Sequence, residues 1–214
     1  IALKLSPLPS ILRISRERTT GGLPLLPYSA MATMTFSLVI YGLLVGDTRI
    51  VGTHGAGHIL SLAYCATFGK HYDYGNAPEK KATAGKSSKI LSALSGGSEI
   101  ATHFRWGTGI ATALLVAVAV LGREAAAPVA GATSVVLSCL MYTGPLAALK
   151  EAIRSRSARN IPLPYAFASI VNAIAWTVYG FFRRHDWMVW APGLIGIVSA
   201  GMQVVVNVCY GSED

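Results

Sequence analysis

Apolar runs of roughly twenty residues recur from one end of this chain to the other, separated by short charged or glycine-rich connections. Inside a bilayer every backbone polar group must find a partner within the protein, so a segment of that length crosses as an α-helix. The pattern predicts an all-α integral membrane protein with helices at 1–15, 23–45, 50–68, 105–121, 125–153, 162–182 and 187–210. Composition agrees: 13% of the 214 residues are charged, against roughly 25% in soluble domains. A net charge of +8 suits a nucleic-acid binder, but the basic residues cluster between apolar runs and not along one face. The expected surroundings are therefore a lipid bilayer, with no nucleic acid. Cys65, Cys139 and Cys209 all lie in apolar stretches, where buried thiols sit and no disulfide framework is built.

Lys and Arg alternate between rich and poor connections. One set holds thirteen, from Arg13 through Lys70 and Arg105 to Arg159, and the intervening set holds four: Arg49, Arg123, Arg183 and Arg184. The positive-inside rule then predicts an amino terminus outside and a carboxyl terminus in the cytoplasm. The first apolar run, 1–14, is short for a span, is interrupted by Pro7 and Pro9 and has no initiator Met, so an amino-terminal piece is expected to be missing. The stretch 72–104 is rich in Gly, Ser and Lys and reads as a long cytoplasmic loop.

An internal echo organises the rest. At an offset of 138 positions Pro7-Leu8 meets Pro145-Leu146, Arg16 and Arg18 meet Arg154 and Arg156, Pro24 meets Pro162, and Tyr41-Gly42 meets Tyr179-Gly180. The unit is three helices, and an odd helix between the copies inserts both in the same orientation. The predicted order is a first repeat at 1–71, the loop at 72–104, a linker helix at 105–122, a second repeat at 125–210 and a cytoplasmic tail at 211–214.

Leu5-Ser6-Pro7 and Leu26-Pro27-Tyr28, then Met141-Tyr142-Thr143-Gly144-Pro145-Leu146, Asn160-Ile161-Pro162 and Ala175-Trp176-Thr177-Val178-Tyr179-Gly180, together resemble the SWEET (MtN3/saliva, PQ-loop-related) sugar transporters over nearly the whole chain. That resemblance implies seven helices in a three-plus-one-plus-three order and passive, bidirectional sugar transport. It also implies a proline tetrad, Pro7, Pro27, Pro145 and Pro162, acting as hinges, and an extracellular gate at Tyr41, Tyr179 and Asp186. Asp47 precedes His54 by seven residues, as Asp186 precedes Gly193, so the two acids are symmetry mates.

The expected substrate site has Trp176 at the family's pocket position and Asn172 four residues earlier on the same face. An indole face beside an amide meets both the C–H face and the hydroxyl rim of a sugar. The usual pair of asparagines is absent. His54 and Gly193 stand there instead, and Leu38 stands opposite Trp176 in the first repeat, so which sugar is carried is left open. His54 and His58 are one turn apart, and Lys4 is a cation at the first span; ionisable groups at such depth are functional suspects.

The expected function is facilitated diffusion of a mono- or disaccharide through a midplane site. The plasma membrane is the expected location and an organellar membrane the alternative. No cofactor or metal is expected, and Gly107, Gly131 and Gly201 would allow close helix contacts in a homo-oligomer. A PQ-loop-type carrier of another small solute such as an amino acid, proton-linked through the histidines, stays open, although no Pro-Gln pair occurs. A seven-helix receptor would lack the internal echo. Metalloprotease and serine-hydrolase spacings are absent, so an enzyme is not expected.

Overall fold

The computed structural model describes residues 2–21, 23, 25–72, 99–141, 143–158, 161 and 163–211. Among them the regular structure is entirely helical. A 3₁₀ turn at Ala2–Leu5 precedes α1 (Leu8–Glu17), α2 (Leu26–Val45) and α3 (Thr48–Lys70). The stretch Glu99–Met141 is two helices, α4 (99–121) and α5 (123–141), meeting at a kink at Gly122, where φ is 74° and ψ is 177°. Then come α6 (Thr143–Ser155), α7 (Leu163–Val178) running into a π-helical turn (Tyr179–Arg184), and α8 (Trp187–Tyr210).

The spans follow from local chemistry. At about 1.5 Å per residue the twenty residues of α2 cover about 30 Å, the thickness of a hydrocarbon core. Among the described residues four stretches are long and apolar enough to cross a membrane: Leu26–Val45, Ile100–Met141, Leu163–Arg184 and Trp187–Tyr210. Outward-facing side chains such as Ile59, Val120 and Val208 are more than 70% exposed, as a lipid-bathed surface requires.

Several boundaries differ from those expected. The span expected at 1–15 divides at Ser6-Pro7, with Pro7 capping α1 and a 3₁₀ turn before it. Helix α4 starts at Glu99 and takes 99–104 out of the expected loop. Ile100 is buried beside Phe68, and His103 Nδ1 lies 3.0 Å from Ser29 Oγ, so this turn is held by α2 and α3. The span expected at 125–153 divides between Met141 and Thr143, and the sixth span reaches Arg184 through the π turn. Residues 73–98, Asn160, Pro162 and 212–214, which hold most of the expected loop, one hinge proline and the tail, lie outside the described residues.

Helix α2 packs on α3 and on the kinked α4–α5 pair, α7 on α8, and α8 on both that pair and α6. The 3₁₀ turn of the first span leans on α7 and so joins the two repeats. One apolar core, Ile11, Ile14, Tyr28, Tyr64 and Phe68, centres on the first repeat, joined by Ile100 of α4 and edged by Met141 of α5, and a smaller one, Leu149, Ala152, Ile161 and Val206, lies within the second. The third mixes both: Tyr41 and Ile50 pack with Val189, and with Trp176, Tyr179 and Met188 at its edge.

Close turns make that mixed core. A Cβ on Gly42 would stand 2.9 Å from Ile50 Cγ2, and one on its repeat mate Gly180 would stand 2.7 Å from the Trp190 nitrogen. At Gly52 a Cβ would meet open space. Gly180→Leu is therefore expected to cost about 1–3 kcal/mol through overpacking. Thermal melting in detergent should show a clear fall for that variant and no fall for Gly52→Leu.

Candidate functional site

At one end of the bundle the α2–α3 and α7–α8 turns meet. In the first, Gly46 takes the left-handed conformation that ends a helix (φ 70°), and the Asp47 N–H donates to Gly42 O at 2.8 Å. Asp47 then caps α3, its Oδ1 accepting from the Arg49 and Ile50 nitrogens at 3.0 and 3.1 Å. Asp186 caps α8 in the same way, through the Met188 nitrogen at 3.0 Å.

The two turns are not identical, and the difference is one residue. Tyr41 precedes Asp47 by six positions, whereas Tyr179 precedes Asp186 by seven. The additional residue is absorbed by the π turn at Tyr179–Arg184, since a π turn is an α-helix carrying an insertion. Its end is His185, held left-handed at φ 53° where the first repeat has glycine.

Each tyrosine then reaches across to the other repeat's acid. Tyr179 O–H donates to Asp47 Oδ2 at 2.7 Å, and Tyr41 O–H donates to Asp186 Oδ2. The inserted residue also brings Arg184 into place: its Nε pairs with Asp47 Oδ2 at 3.1 Å and its Nη2 donates to Val45 O at 3.3 Å. Arg49 lies 5.5 Å over the Tyr179 ring, within cation–π range. Burial pushes the Asp47 carboxyl upward, but the bonds from Tyr179, Ile50 and Arg49 and the Arg184 charge outweigh it and hold the group below its ordinary value.

Deeper in the bundle, His54 and Trp176 meet between the repeats, with ring centroids 5.1 Å apart and planes at 42°. Trp176 also meets Tyr179 edge to face at 5.9 Å, which couples this level to the turn end. Lys4 Nζ lies 3.1 Å from His54 Nδ1, and Tyr64 O–H donates to the Lys4 carbonyl at 3.2 Å. Leu38 packs with Trp176 and Tyr179 in the mixed core. His58 faces elsewhere: its Nδ1 lies 3.0 Å from Ala32 O, and its ring lies on Phe36, so it clips α3 to α2.

Asn172 lies on a separate small cavity of about 60 Å³, lined also by Leu3, Tyr165, Ser169, Ser199 and Gln203. Ser199 Oγ there is buried and without a partner among the described residues. Two waters would fill that space, and a sugar would not. Gly193 is buried where α8 runs closest to α7; a Cβ there would collide with Thr177 Oγ1 and come 2.9 Å from Ala173 O. A larger hollow of about 530 Å³ lies on an outer flank of α4, at Arg105, Trp106 and Ile110, and holds none of these groups.

Pro7 and Pro27 both stand at helix starts, where a missing N–H leaves no bond unmade. Pro145 is the third residue of α6. They punctuate segments and do not kink continuous helices. Of the small residues expected at contacts, Gly131 is filled from within by Tyr41 and Met188 and Gly107 by Thr33, while Gly201 faces open space. Arg184 and the π turn were not singled out from sequence, although the change from six to seven positions between tyrosine and acid is a readable signal.

Two parallel three-helix units joined by a linker helix, meeting over a mixed core, define a repeat-built membrane carrier. A family model described as sugar efflux transporter for intercellular exchange matches residues 1–75 and 128–214. The bidirectional sugar transporter SWEET4 of Oryza sativa subsp. indica is 26% identical over 213 residues, covering 98% of this chain and 75% of that protein. The sugar transporter SWEET1 of Rattus norvegicus is 24% identical over 201 residues, covering 94% and 81%. A solved eukaryotic SWEET transporter shares the fold, with a TM-score of 0.77 at 23% identity over 99% of this chain and 91% of that one. The chain belongs to the SWEET (MtN3/saliva) family.

Two expectations follow. Double-mutant cycles of Tyr41→Phe with Asp186→Asn, and of Tyr179→Phe with Asp47→Asn, should each give a coupling of about 0.5–3 kcal/mol in unfolding measured in detergent. A depressed carboxyl stabilises above its unfolded value and loses that contribution as pH falls through the folded value. Melting should therefore drop as pH is taken below about 4, and Asp47→Asn should remove part of that drop.

Proposed function

We propose that this chain carries a mono- or disaccharide down its gradient, in either direction, by rocking its two repeats about a site at Trp176 and His54. The observation that carries the reading is an aromatic and hydrogen-bonding pair shared between repeats, His54–Trp176, directly beneath a closed turn end, in a chain of this family. Trp176 would stack on the apolar face of the ring, and the imidazole would meet hydroxyls. Leu38 narrows the site from the first repeat, and Gly193 contributes close helix contact in place of a side chain. Asn172 would join the substrate once α7 and α8 part around the small cavity.

The turn end is the outward gate, an orientation supported by its four Lys and Arg against thirteen at the other end. Opening it requires breaking Tyr41–Asp186, Tyr179–Asp47 and Arg184–Asp47 together, because all three tie one repeat to the other. The breaks beside Pro7, Pro27 and Pro145, with Pro162 completing the family's tetrad, supply the bending points at the inner end. The plasma membrane is the proposed location, and the open face at Gly201 is a candidate contact in a homo-oligomer.

Uptake of labelled glucose and sucrose into proteoliposomes tests this. Saturable flux, equal with and without a pH gradient and falling roughly tenfold or more in Trp176→Ala, is the expected result. No flux of either sugar, nor of an acidic monosaccharide, contradicts it. Flux that follows the gradient points to proton linkage, the reading that Lys4 and His54 in contact would favour.

A further inference from the structure

We infer that the sugar this site takes is an acid, a hexuronate-type monosaccharide whose carboxylate is met by Lys4; this rests on the sugar-carrier reading above. Lys4 stands on the 3₁₀ turn that joins the repeats, and its Nζ lies 3.1 Å from His54 Nδ1. His54 is seven residues into the span from the Asp47 cap, about 10 Å below the turn end. The position is built to receive the lysine. Gly57, one turn beyond His54, leaves the space its stem occupies: a Cβ there would collide with Lys4 Cδ and Nζ. The Tyr64 bond to the Lys4 carbonyl holds the backbone at the same place.

Among the described residues no acid pairs with this cation: the ion pairs are Arg13–Glu17 and Arg184–Asp47, and neither includes Lys4. Asp47 and Asp186 are already engaged at the turn end with Tyr179, Arg184 and Tyr41. A cation at membrane depth needs an anion or a wet cavity, and a neutral imidazole is only part of that. An ammonium has donors alone, so His54 Nδ1 is the acceptor and its ring proton resides on Nε2. Lys4 Nζ, His54 Nε2–H and the Trp176 indole N–H are all donors, and the one amide assigned to the substrate, Asn172, lies on the separate small cavity. A neutral sugar hydroxyl both donates and accepts; a carboxylate only accepts. The donor set matches the second.

The test is paired uptake of labelled glucuronate and labelled glucose by the whole chain in proteoliposomes, for the native protein and for Lys4→Met, Lys4→Arg and His54→Gln. Glucuronate flux should be saturable and should compete with glucose, and the glucuronate-to-glucose ratio should fall at least roughly tenfold in Lys4→Met and be largely kept in Lys4→Arg. Protection of the native protein from thermal unfolding by glucuronate, lost in Lys4→Met, would support it independently of flux. Glucose flux without glucuronate flux, or a ratio unmoved by Lys4→Met, overturns the inference and leaves sugar carriage standing. Flux of neither compound overturns both.

Discussion

The two tyrosine-to-aspartate bonds that cross between the repeats are the constraint on which the rest of the arrangement depends. Each acid does two jobs with its two oxygens. One oxygen caps the helix that follows, and the other accepts from the opposite repeat's tyrosine. A helix that starts correctly is therefore a helix whose acid is aimed at its partner. The symmetry of the chain makes the pair reciprocal, so neither repeat can withdraw alone. Arg184 adds a third tie with no counterpart in the first repeat, where Gly46 occupies the corresponding turn.

Beneath that lock the same α3 and α7 carry His54 and Trp176, and the Trp176–Tyr179 contact links the two levels. Movement of the π turn would therefore move the indole. A π turn suits this role, because its wider winding is an inserted residue and not a weakened end. The apolar cores add a directional bias: the repeats share Tyr41, Ile50 and Val189 at the turn end, whereas at the far end Met141 alone among the described core residues crosses to the other repeat's cluster. Such an arrangement resists parting at one end and tolerates it at the other.

Much of this was legible in the chain. The helical bundle, the three-plus-one-plus-three order and the family were carried by apolar run length, by the echo at 138 positions and by motifs such as Leu5-Ser6-Pro7 and Ala175-Trp176. The pairing of Asp47 with Asp186 was also readable, as equal spacings to His54 and Gly193. What periodicity does not encode is which way a polar side chain turns. His54 and His58 share a helix face by spacing, yet one meets Lys4 and Trp176 and the other clips α2. Asn172 and Trp176 likewise share a face, yet Asn172 lines the small cavity while Trp176 packs against His54. A helix start is not legible where a short apolar turn is held by distant partners, as at Ile100 and His103, since hydropathy reflects only sequence neighbours.

The central claim is that the crossed bonds hold the turn end shut. Spin labels at exposed Thr48 and Trp187, on a chain with Cys65, Cys139 and Cys209 replaced, would report the separation of the two turns by pulsed dipolar spectroscopy. The expected result is a short, narrow distance distribution in the otherwise native chain and a longer, broader one in Tyr41→Phe/Tyr179→Phe. An unchanged distribution in the double variant would contradict it.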